Sequence, residues 1–199
     1  MNYLAHAYLS FNQPEVLVGN IISDFIKGKK QFDYSPTIQK GIRLHRAIDI
    51  FTDSHPIIKE ASQYLKPAVG AYSGAFIDIA FDHFLAKDDS IFGSPSTLYN
   101  FAQGTYSILD QYEPCFPDGF KIRFPSMKQH NWLYNYQFKE GIEKSFASLA
   151  RRATYLTSSE SCFQLFENHY EIINHYYKVF FPELIGYVLE IQRNDNPKF

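Results

Sequence analysis

The chain has 199 residues, a hydrophobic fraction of 45% and a formal net charge of −2 at pH 7. A chain of this length forms one large domain or two very small ones, and it buries enough apolar surface to fold without disulfide bonds or structural zinc. The near-neutral charge excludes a nucleic-acid-binding protein that works through a broad basic face.

Apolar residues recur at helical spacing along most of the chain, and alternating strand patterns are scarce. Glu15–Lys27 is apolar over most of a helix circumference, with Pro14 at a first-turn position and Gly28 as a stop. The further helices predicted, in chain order, are Pro36–Asp53, Ile57–Leu65, Gly74–Ala86, Ser96–Gln111, Phe138–Thr154, Ser159–Phe180 and Glu183–Gln192.

Prolines and glycines mark the predicted interruptions. Glu113–Phe124 contains Pro114, Pro117 and Gly119, which predicts an irregular connection. Pro182 is predicted to end the helix that precedes it. The fold class predicted is all-α, a single-domain helical bundle over residues 1–199.

Cysteine usage and hydropathy indicate the compartment. Cys115 and Cys162 are far apart and form no CxxC motif, which excludes a zinc ribbon and favours a reducing environment. No signal peptide and no apolar stretch of membrane-spanning length is recognisable. A soluble, cytoplasmic protein is therefore expected.

Four stretches of the chain carry acidic and histidine side chains among residues that otherwise indicate buried helix, namely Met1–Ser10, Gly19–Gly28, Gly41–Pro56 and Ala75–Ala86. Ionised carboxylates removed from water need a compensating partner. A metal ion can be that partner where several carboxylates converge with histidines. Side chains one helical turn apart leave the same face, as His45 and Asp49 do. The pattern predicts a metal centre, and its candidates are His6, Asp24, His45, Asp49, Asp78, Asp82 and His83.

The ligand types narrow the metal and the chemistry. Carboxylates and imidazoles without thiolates suit Mn²⁺, Mg²⁺ or Fe²⁺ better than structural zinc. The Glu-x-x-His motif of di-iron bundles and the nucleotide-binding P-loop are both absent. Arg43 and Arg46 flank His45, and two guanidinium groups beside a metal suit the nonbridging oxygens of a phosphoester. We therefore interpret the pattern as a metal-dependent hydrolase centre.

Each candidate also has a purely structural interpretation. His45 and Asp49 can form a local hydrogen bond, and Asp82 can form a buried ion pair with a neighbouring arginine. Asp24 can bond a nearby amide, and His6 can be a core histidine with satisfied hydrogen bonds. In that case the chain is a helical interaction module that binds no metal.

Four ordered blocks carry a resemblance to a known family, namely MNYLAHAYLS (1–10), GNIISDFIKG (19–28), GIRLHRAIDIFTDSHP (41–56) and FDHFLA (81–86). Weaker similarity lies at NWL (131–133), at Arg151–Arg152 and at FPEL (181–184). At these residues the chain resembles the acyl carrier protein phosphodiesterase family, also called holo-acyl-carrier-protein hydrolase, over nearly its whole length. That family is similar to divergent HD-type phosphohydrolases, although the usual His-Asp dipeptide is here the reversed Asp82-His83.

The resemblance implies an HD-like helical fold and a defined reaction. That reaction is removal of the 4′-phosphopantetheine arm from a carrier-protein serine, which gives the apo carrier. Mn²⁺ or Mg²⁺ is the cofactor implied, and holo-acyl carrier protein is the partner, with no nucleic acid and no membrane. The alternative is an HD-type phosphohydrolase that acts on a nucleotide or another small phosphoester.

Catalytic roles follow as hypotheses from this reaction and from local geometry. His6 or His83 would protonate the serine oxygen that leaves, since imidazole has a suitable pKa. Asp78 would orient a histidine ligand. The predicted metal ligands are Asp24, His45, Asp49 and Asp82.

Substrate contacts are predicted in the same region. Arg43 and Arg46 would hold phosphoryl oxygens, and Asn20 shares a helix face with Asp24 and is a further candidate. A basic cluster would dock a small acidic carrier protein, although a solvated basic turn explains that cluster equally well. The cluster consists of Lys27, Lys29 and Lys30.

Overall fold

The computed structural model describes residues 1–153, 156 and 158–195 of the chain. Regular structure in these residues is α-helical or 3₁₀-helical, and no β-strand occurs among them, which confirms the all-α prediction. Short 3₁₀ turns cover Ser23–Phe25, Gly28–Asp33, Gly70–Tyr72 and Glu113–Cys115. The α-helices are α1 Tyr3–Tyr8, α2 Pro14–Ile22, α3 Pro36–Ser54, α4 Pro56–Gln63, α5 Lys66–Val69, α6 Ser73–Ala86, α7 Pro95–Gln111, α8 Asp118–Gln129, α9 Trp132–Asn135, α10 Lys139–Arg152, α11 Glu160–Asn168 and α12 Tyr170–Asp195.

The chain forms two compact units, each assembled from separate stretches of sequence. The first unit comprises Met1, Ile48–Phe81 and the described residues from Ile142 onward. The second unit comprises Asn2–Ala47 and Asp82–Gly141. The unit boundaries fall inside α3, α6 and α10. That the whole chain behaves as a single domain stays a prediction.

The first unit has an aromatic core. Phe76 of α6 packs edge-on against Phe146 of α10 with ring centroids 4.9 Å apart, and both side chains are fully buried. Phe51 of α3 stacks on Tyr187 of α12 at 4.5 Å. Aromatic rings bury a large apolar area each, so these contacts join α6 to α10 and α3 to α12.

In the second unit, α2 and α3 cross at two glycines. A Cβ atom on Gly19 would lie 2.1 Å from the carbonyl oxygen of Ile38, and one on Gly41 would lie 2.2 Å from that of Val16. Only residues without a side chain allow backbones to approach this closely. The crossing brings the end of α2 against the middle of α3, where the candidate site residues are located.

The structure corrects two predicted boundaries in the part of the chain before α9. The α-helix expected to reach Lys27 ends at Ile22 and continues as a 3₁₀ turn. The segment expected to be irregular, Glu113–Phe124, instead contains a 3₁₀ turn and then the first half of α8, with Pro125 inside that helix. Burial of Phe120 and Phe124 favours the helix over the connection that its prolines and glycine predict.

The C-terminal helices also differ from the prediction. The break expected at Pro182 does not occur, and α12 runs from Tyr170 through this proline. The neighbouring side chains of Phe181 and Leu184 are buried, and their burial favours a continuous helix. Instead the chain breaks at His169, where neither glycine nor proline indicates it. The predicted end of another helix, Thr154, lies outside the described residues. No helix in the described part of the chain has both the length and the apolar character needed to cross a membrane.

Candidate metal centre

The Asn20 side chain fixes the position of His6. Its amide nitrogen donates to the carbonyl oxygen of His6 at 2.8 Å and to Ser10 Oγ at 3.1 Å. The amide oxygen therefore faces His6 Nδ1, at 2.8 Å. Because this oxygen only accepts hydrogen bonds, His6 Nδ1 carries the proton, and Nε2 is the nitrogen with the lone pair.

The backbone carbonyl group of Asn20 orients His45. The C-terminal turn of an α-helix leaves carbonyl groups without helical partners, and His45 Nδ1 donates to the Asn20 carbonyl oxygen at 2.7 Å. His45 Nε2 then points at Asp24 Oδ1, 3.1 Å away. A neutral imidazole would place a lone pair against a carboxylate oxygen there, so the arrangement is favourable only with a cation, either a proton or a metal ion.

The two histidines form one cluster. Their rings stack with centroids 4.1 Å apart and planes 18° apart, and their potential ligand atoms lie within 4.8 Å of one another. Two stacked imidazolium rings would repel each other, so this packing disfavours protonation of both rings at the same time. The side chain of Asp24 is 62% exposed, whereas that of His45 is 8% exposed. The cluster therefore opens to solvent on the Asp24 side.

Asp49 and Asp78 belong to the first unit. Asp49 lies one turn beyond His45 on α3, so the two side chains leave the same side of that helix, as the sequence predicts. The amino group of Met1 lies 3.1 Å from Asp78 and 3.9 Å from Asp49. Burial raises the pKa of Asp78, and the nearby amino group partly offsets this rise. The ion pair with Met1 is the contact that the structure gives Asp78, whose orienting role stays a prediction.

Asp82 stabilises the start of α1. Its carboxylate accepts hydrogen bonds from the backbone amides of Leu4 at 2.7 Å and of Asn2 and Ala5 at 3.3 Å. These amides lie at the N-cap and in the first turn of α1, where helical partners are lacking. Asp82 thus supports the helix that carries His6, and its hydrogen bonds favour a structural role over that of a metal ligand. A pairing with Arg43 or Arg46, the alternative to a metal that the sequence left open for Asp82, is not among the contacts of its carboxylate in the structure.

His83 is fully buried beside Asp82 on α6. Its Nδ1 donates to the carbonyl oxygen of Tyr136 at 2.6 Å. Burial lowers the pKa of His83 to about 4, so the ring is neutral at pH 7. A neutral, enclosed imidazole is poorly suited to donate a proton, so these surroundings do not favour His83 as the general acid.

Arg46 and the lysines border the cluster. The Arg46 guanidinium donates to Gln31 Oε1 at 2.8 Å and to the Ile26 carbonyl oxygen at 3.4 Å, so it anchors the basic turn rather than pointing outward. Arg43 is exposed. Lys27 and Lys30 line the same groove as Asp24, while Lys29 is exposed beside them.

The sequence-based interpretation missed several residues at this site. Asn20 is a candidate substrate contact by sequence, but in the structure it is fully buried and holds both histidines. Neither the role of Ser10 nor that of Gln31 was anticipated, because a single polar residue between apolar neighbours carries no signal of its partner. The groove wall from Cys115 to Gly119 was also missed.

Comparison with known proteins decides the family. A family profile described as acyl carrier protein phosphodiesterase matches residues 1–184. The chain belongs to the acyl carrier protein phosphodiesterase family. The relatives that carry this name include one from Yersinia pestis, 30% identical over 185 residues that cover 93% of this chain and 96% of the relative. A relative from Klebsiella pneumoniae is 29% identical over 189 residues, which cover 93% and 96% of the two chains. No solved structure matches the chain.

Family members and this chain thus align over almost their full lengths. The match includes every residue of the His6, Asn20, Asp24 and His45 cluster, since the profile begins at residue 1. The resemblance noted from the four sequence blocks is therefore confirmed at the level of the family.

Proposed function

We propose that this chain hydrolyses the phosphodiester that joins 4′-phosphopantetheine to a serine of holo-acyl carrier protein. A water oxygen bonds to phosphorus, the bond from phosphorus to the serine oxygen breaks, and the serine oxygen takes up a proton that the water releases. The products are apo carrier and free 4′-phosphopantetheine. Membership of the family supports this substrate and this bond.

The observation that carries the proposal is the fixed orientation of His45. A hydrogen bond from Nδ1 to a backbone carbonyl is the usual outer contact of a metal-bound histidine, because it sets the tautomer and presents Nε2 to the ion. Here Nε2 faces the exposed carboxylate of Asp24. Imidazole nitrogen and carboxylate oxygen together suit Mn²⁺ or Mg²⁺, so the donor set fits the ion that the family resemblance implies.

Asp24 and His45 are the residues that we propose hold the ion. We add His6 to this set, because its stacked ring and its Asn20 hydrogen bond fix Nε2 in the same way. Asp49, one turn beyond His45, remains a proposed ligand. When bound, a divalent ion supplies positive charge for the phosphoryl oxygens and acidifies water.

The chain's own cations and hydrogen bonds supply the remaining functions. Lys27 and Lys30 line the groove beside Asp24 and would attract the phosphodiester anion. Arg46 holds the turn that carries them through Gln31 and the Ile26 carbonyl. We therefore propose that Arg46 is a positioning residue, and that the lysines rather than Arg46 contact the phosphate.

Carrier docking is proposed on the 3₁₀ turn Gly28–Asp33. Lys29 and Lys30 are exposed on this turn, and Phe32 exposes 65% of its surface. An exposed aromatic ring among lysines suits a partner with an acidic surface and a small apolar contact. Lys29 and Lys30 would steer encounter with an acidic carrier in spite of the net charge of −2.

The decisive experiment follows the mass of a holo carrier incubated with the protein and Mn²⁺. The wild-type protein is expected to convert it to the apo carrier and to release 4′-phosphopantetheine. Asp24→Asn is expected to lose this conversion. Asp89→Asn, a matched change at an exposed aspartate outside the site, is expected to retain it.

Metal binding is tested separately, by titrating Mn²⁺ and counting bound ions by electron paramagnetic resonance. Asp24→Asn and His45→Gln should bind Mn²⁺ more weakly than the wild type and Asp89→Asn. An unchanged carrier mass with the wild type would refute the substrate, and release of phosphate from nucleotides instead would favour the alternative reaction. Equal Mn²⁺ binding by all four proteins would refute the ligands.

A further inference from the structure

The second unit contains a groove of about 710 Å³ that Asp24 helps to line. Two stretches of chain form it, one that follows α2 and one that leads into α8. The groove therefore shares with the candidate metal centre the residue whose carboxylate faces His45. Its lining residues include Phe25, Lys27, Lys30, Tyr34, Cys115 and Gly119.

Size and lining indicate what the groove can hold. Small-molecule sites in proteins span roughly 300–1,000 Å³ and combine apolar walls with a few polar groups. Here Phe25, Ile26 and Tyr34 give apolar surface, Lys27 and Lys30 give positive charge, and Asp24, Asp33 and Asp118 give hydrogen-bond acceptors with negative charge. The lysines suit the anionic end of a ligand, and the carboxylates suit the amide N–H groups of a long neutral remainder.

We propose that the groove binds the 4′-phosphopantetheine arm itself, with its phosphate beside Asp24 and the lysines and its amide and thiol portion against Phe25, Tyr34 and Cys115. This inference rests on the proposed function, because the arm must reach the site at which its phosphodiester is cleaved. It adds a binding subsite for the leaving group to the docking surface proposed for the carrier.

Gly119 sets the width of the groove. A Cβ atom at this position would lie 2.7 Å from Cδ1 of Phe25, which is closer than real Cβ contacts allow. Phe25 also packs on Phe120 at 5.6 Å and lies under the Arg123 guanidinium at 5.1 Å. Gly119→Ala must therefore displace a ring that forms part of the wall, while it leaves Asp24 and His45 chemically unchanged.

The two cysteines differ in a way that permits a selective test. Cys115 is exposed in the groove, whereas Cys162 is buried and burial raises its pKa to about 12. A thiolate is the reactive form of cysteine, so N-ethylmaleimide should modify Cys115 and spare Cys162. The adduct would occupy space in which we place the arm.

The experiment compares the KM for holo carrier before and after N-ethylmaleimide treatment. Modification of the wild type is expected to raise KM about tenfold, the equivalent of 1.4 kcal/mol, with a much smaller fall in kcat. Unreacted reagent is removed before the assay, because the arm of the holo carrier also carries a thiol. S-methyl-4′-phosphopantetheine, whose blocked thiol does not consume the reagent, should slow the modification, and S-methylpantetheine without the phosphate should slow it less. Cys115→Ser should give the same KM with and without the reagent.

Gly119→Ala provides an independent test, with Gly104→Ala as the matched control because a Cβ at Gly104 meets no atom within 4 Å. Gly119→Ala should raise KM, and Gly104→Ala should leave it unchanged. If untreated wild type converts holo carrier but modification of Cys115 leaves KM unchanged, the groove assignment is overturned and the hydrolase proposal stands. If untreated wild type converts no carrier, the proposed function itself is overturned.

Discussion

Gly41→Ala should destabilise the protein because it forces α2 and α3 apart. The new Cβ would lie 2.2 Å from the Val16 carbonyl oxygen and 2.9 Å from the Asn20 amide nitrogen. Both neighbours are backbone atoms, which cannot rotate away as a side chain can. Since ordinary contact begins near 3.4 Å, the two helices must separate by roughly 1 Å at this point.

The separation also affects the site. The hydrogen bond from His45 Nδ1 to the Asn20 carbonyl oxygen is 2.7 Å long, and roughly 1 Å more would break it. Overpacking costs about 1–3 kcal/mol, and loss of a buried hydrogen bond costs about 1–3 kcal/mol more. Against this, alanine is favoured over glycine in a helix by about 1 kcal/mol. We expect a net loss of about 3 kcal/mol in the free energy of unfolding.

The assay is urea unfolding of Gly41→Ala beside Gly104→Ala, whose Cβ meets open space on α7. Gly104→Ala should gain about 0.5–1 kcal/mol, because it keeps the helical preference of alanine and meets no clash. Gly41→Ala should also bind Mn²⁺ more weakly. If Gly41→Ala were as stable as the wild type, or gained stability as Gly104→Ala does, the argument from the glycine crossing would be refuted.

Four further outcomes are expected. The pKa of His83 is about 4 in the folded state and 6.5 in the unfolded state. The contribution of the neutral ring to the free energy of unfolding, about 3 kcal/mol, is therefore present above pH 6.5 and is lost as the pH falls to 4. The free energy of unfolding of His83→Gln should not show this dependence on pH. Burial raises the pKa of Asp82 from 3.8 to about 7. The contribution of this group to the free energy of unfolding is therefore present below pH 4 and declines as the pH rises to 7. Asp82→Asn should abolish this decline in the same assay. Lys29→Glu and Lys30→Glu should each raise KM for holo carrier more than they lower kcat, and added salt should shrink the difference from wild type. Chelation by EDTA should abolish release of 4′-phosphopantetheine, and Mn²⁺ should restore it; full activity after complete removal of metal would contradict the proposed ligands.

Most helices could be predicted because each has its own apolar periodicity. Pro36–Asp53 was expected and α3 spans Pro36–Ser54, since its apolar spacing and the prolines on either side act within the segment. The start of α8 could not be predicted, because burial of Phe120 and Phe124 against other parts of the fold outweighs the local effect of Pro117 and Gly119. The continuation of α12 through Pro182 has the same cause.

Some residues of the candidate site could be predicted from the sequence, and others could not. His45 and Asp49 were found together because both lie on one helix, where spacing alone fixes their relative direction. From the sequence, Asp82 resembled the other predicted metal ligands. An acidic residue on an apolar helix forms the same sequence pattern whether it faces a metal ion or a row of backbone amides. Its hydrogen bonds to α1 join residues about 80 positions apart, which no local pattern encodes.

The sequence by itself determined the helical class, the family and the residue types available for metal and phosphate chemistry, because these depend on local spacing and on ordered motifs. Only the tertiary structure decided which of those residues meet. The α2–α3 crossing at Gly19 and Gly41 brings the Asn20 carbonyl to His45 and turns the ring toward Asp24. Contacts of this kind depend on how closely two backbones approach, and that distance is set by packing between helices rather than by the sequence of either one.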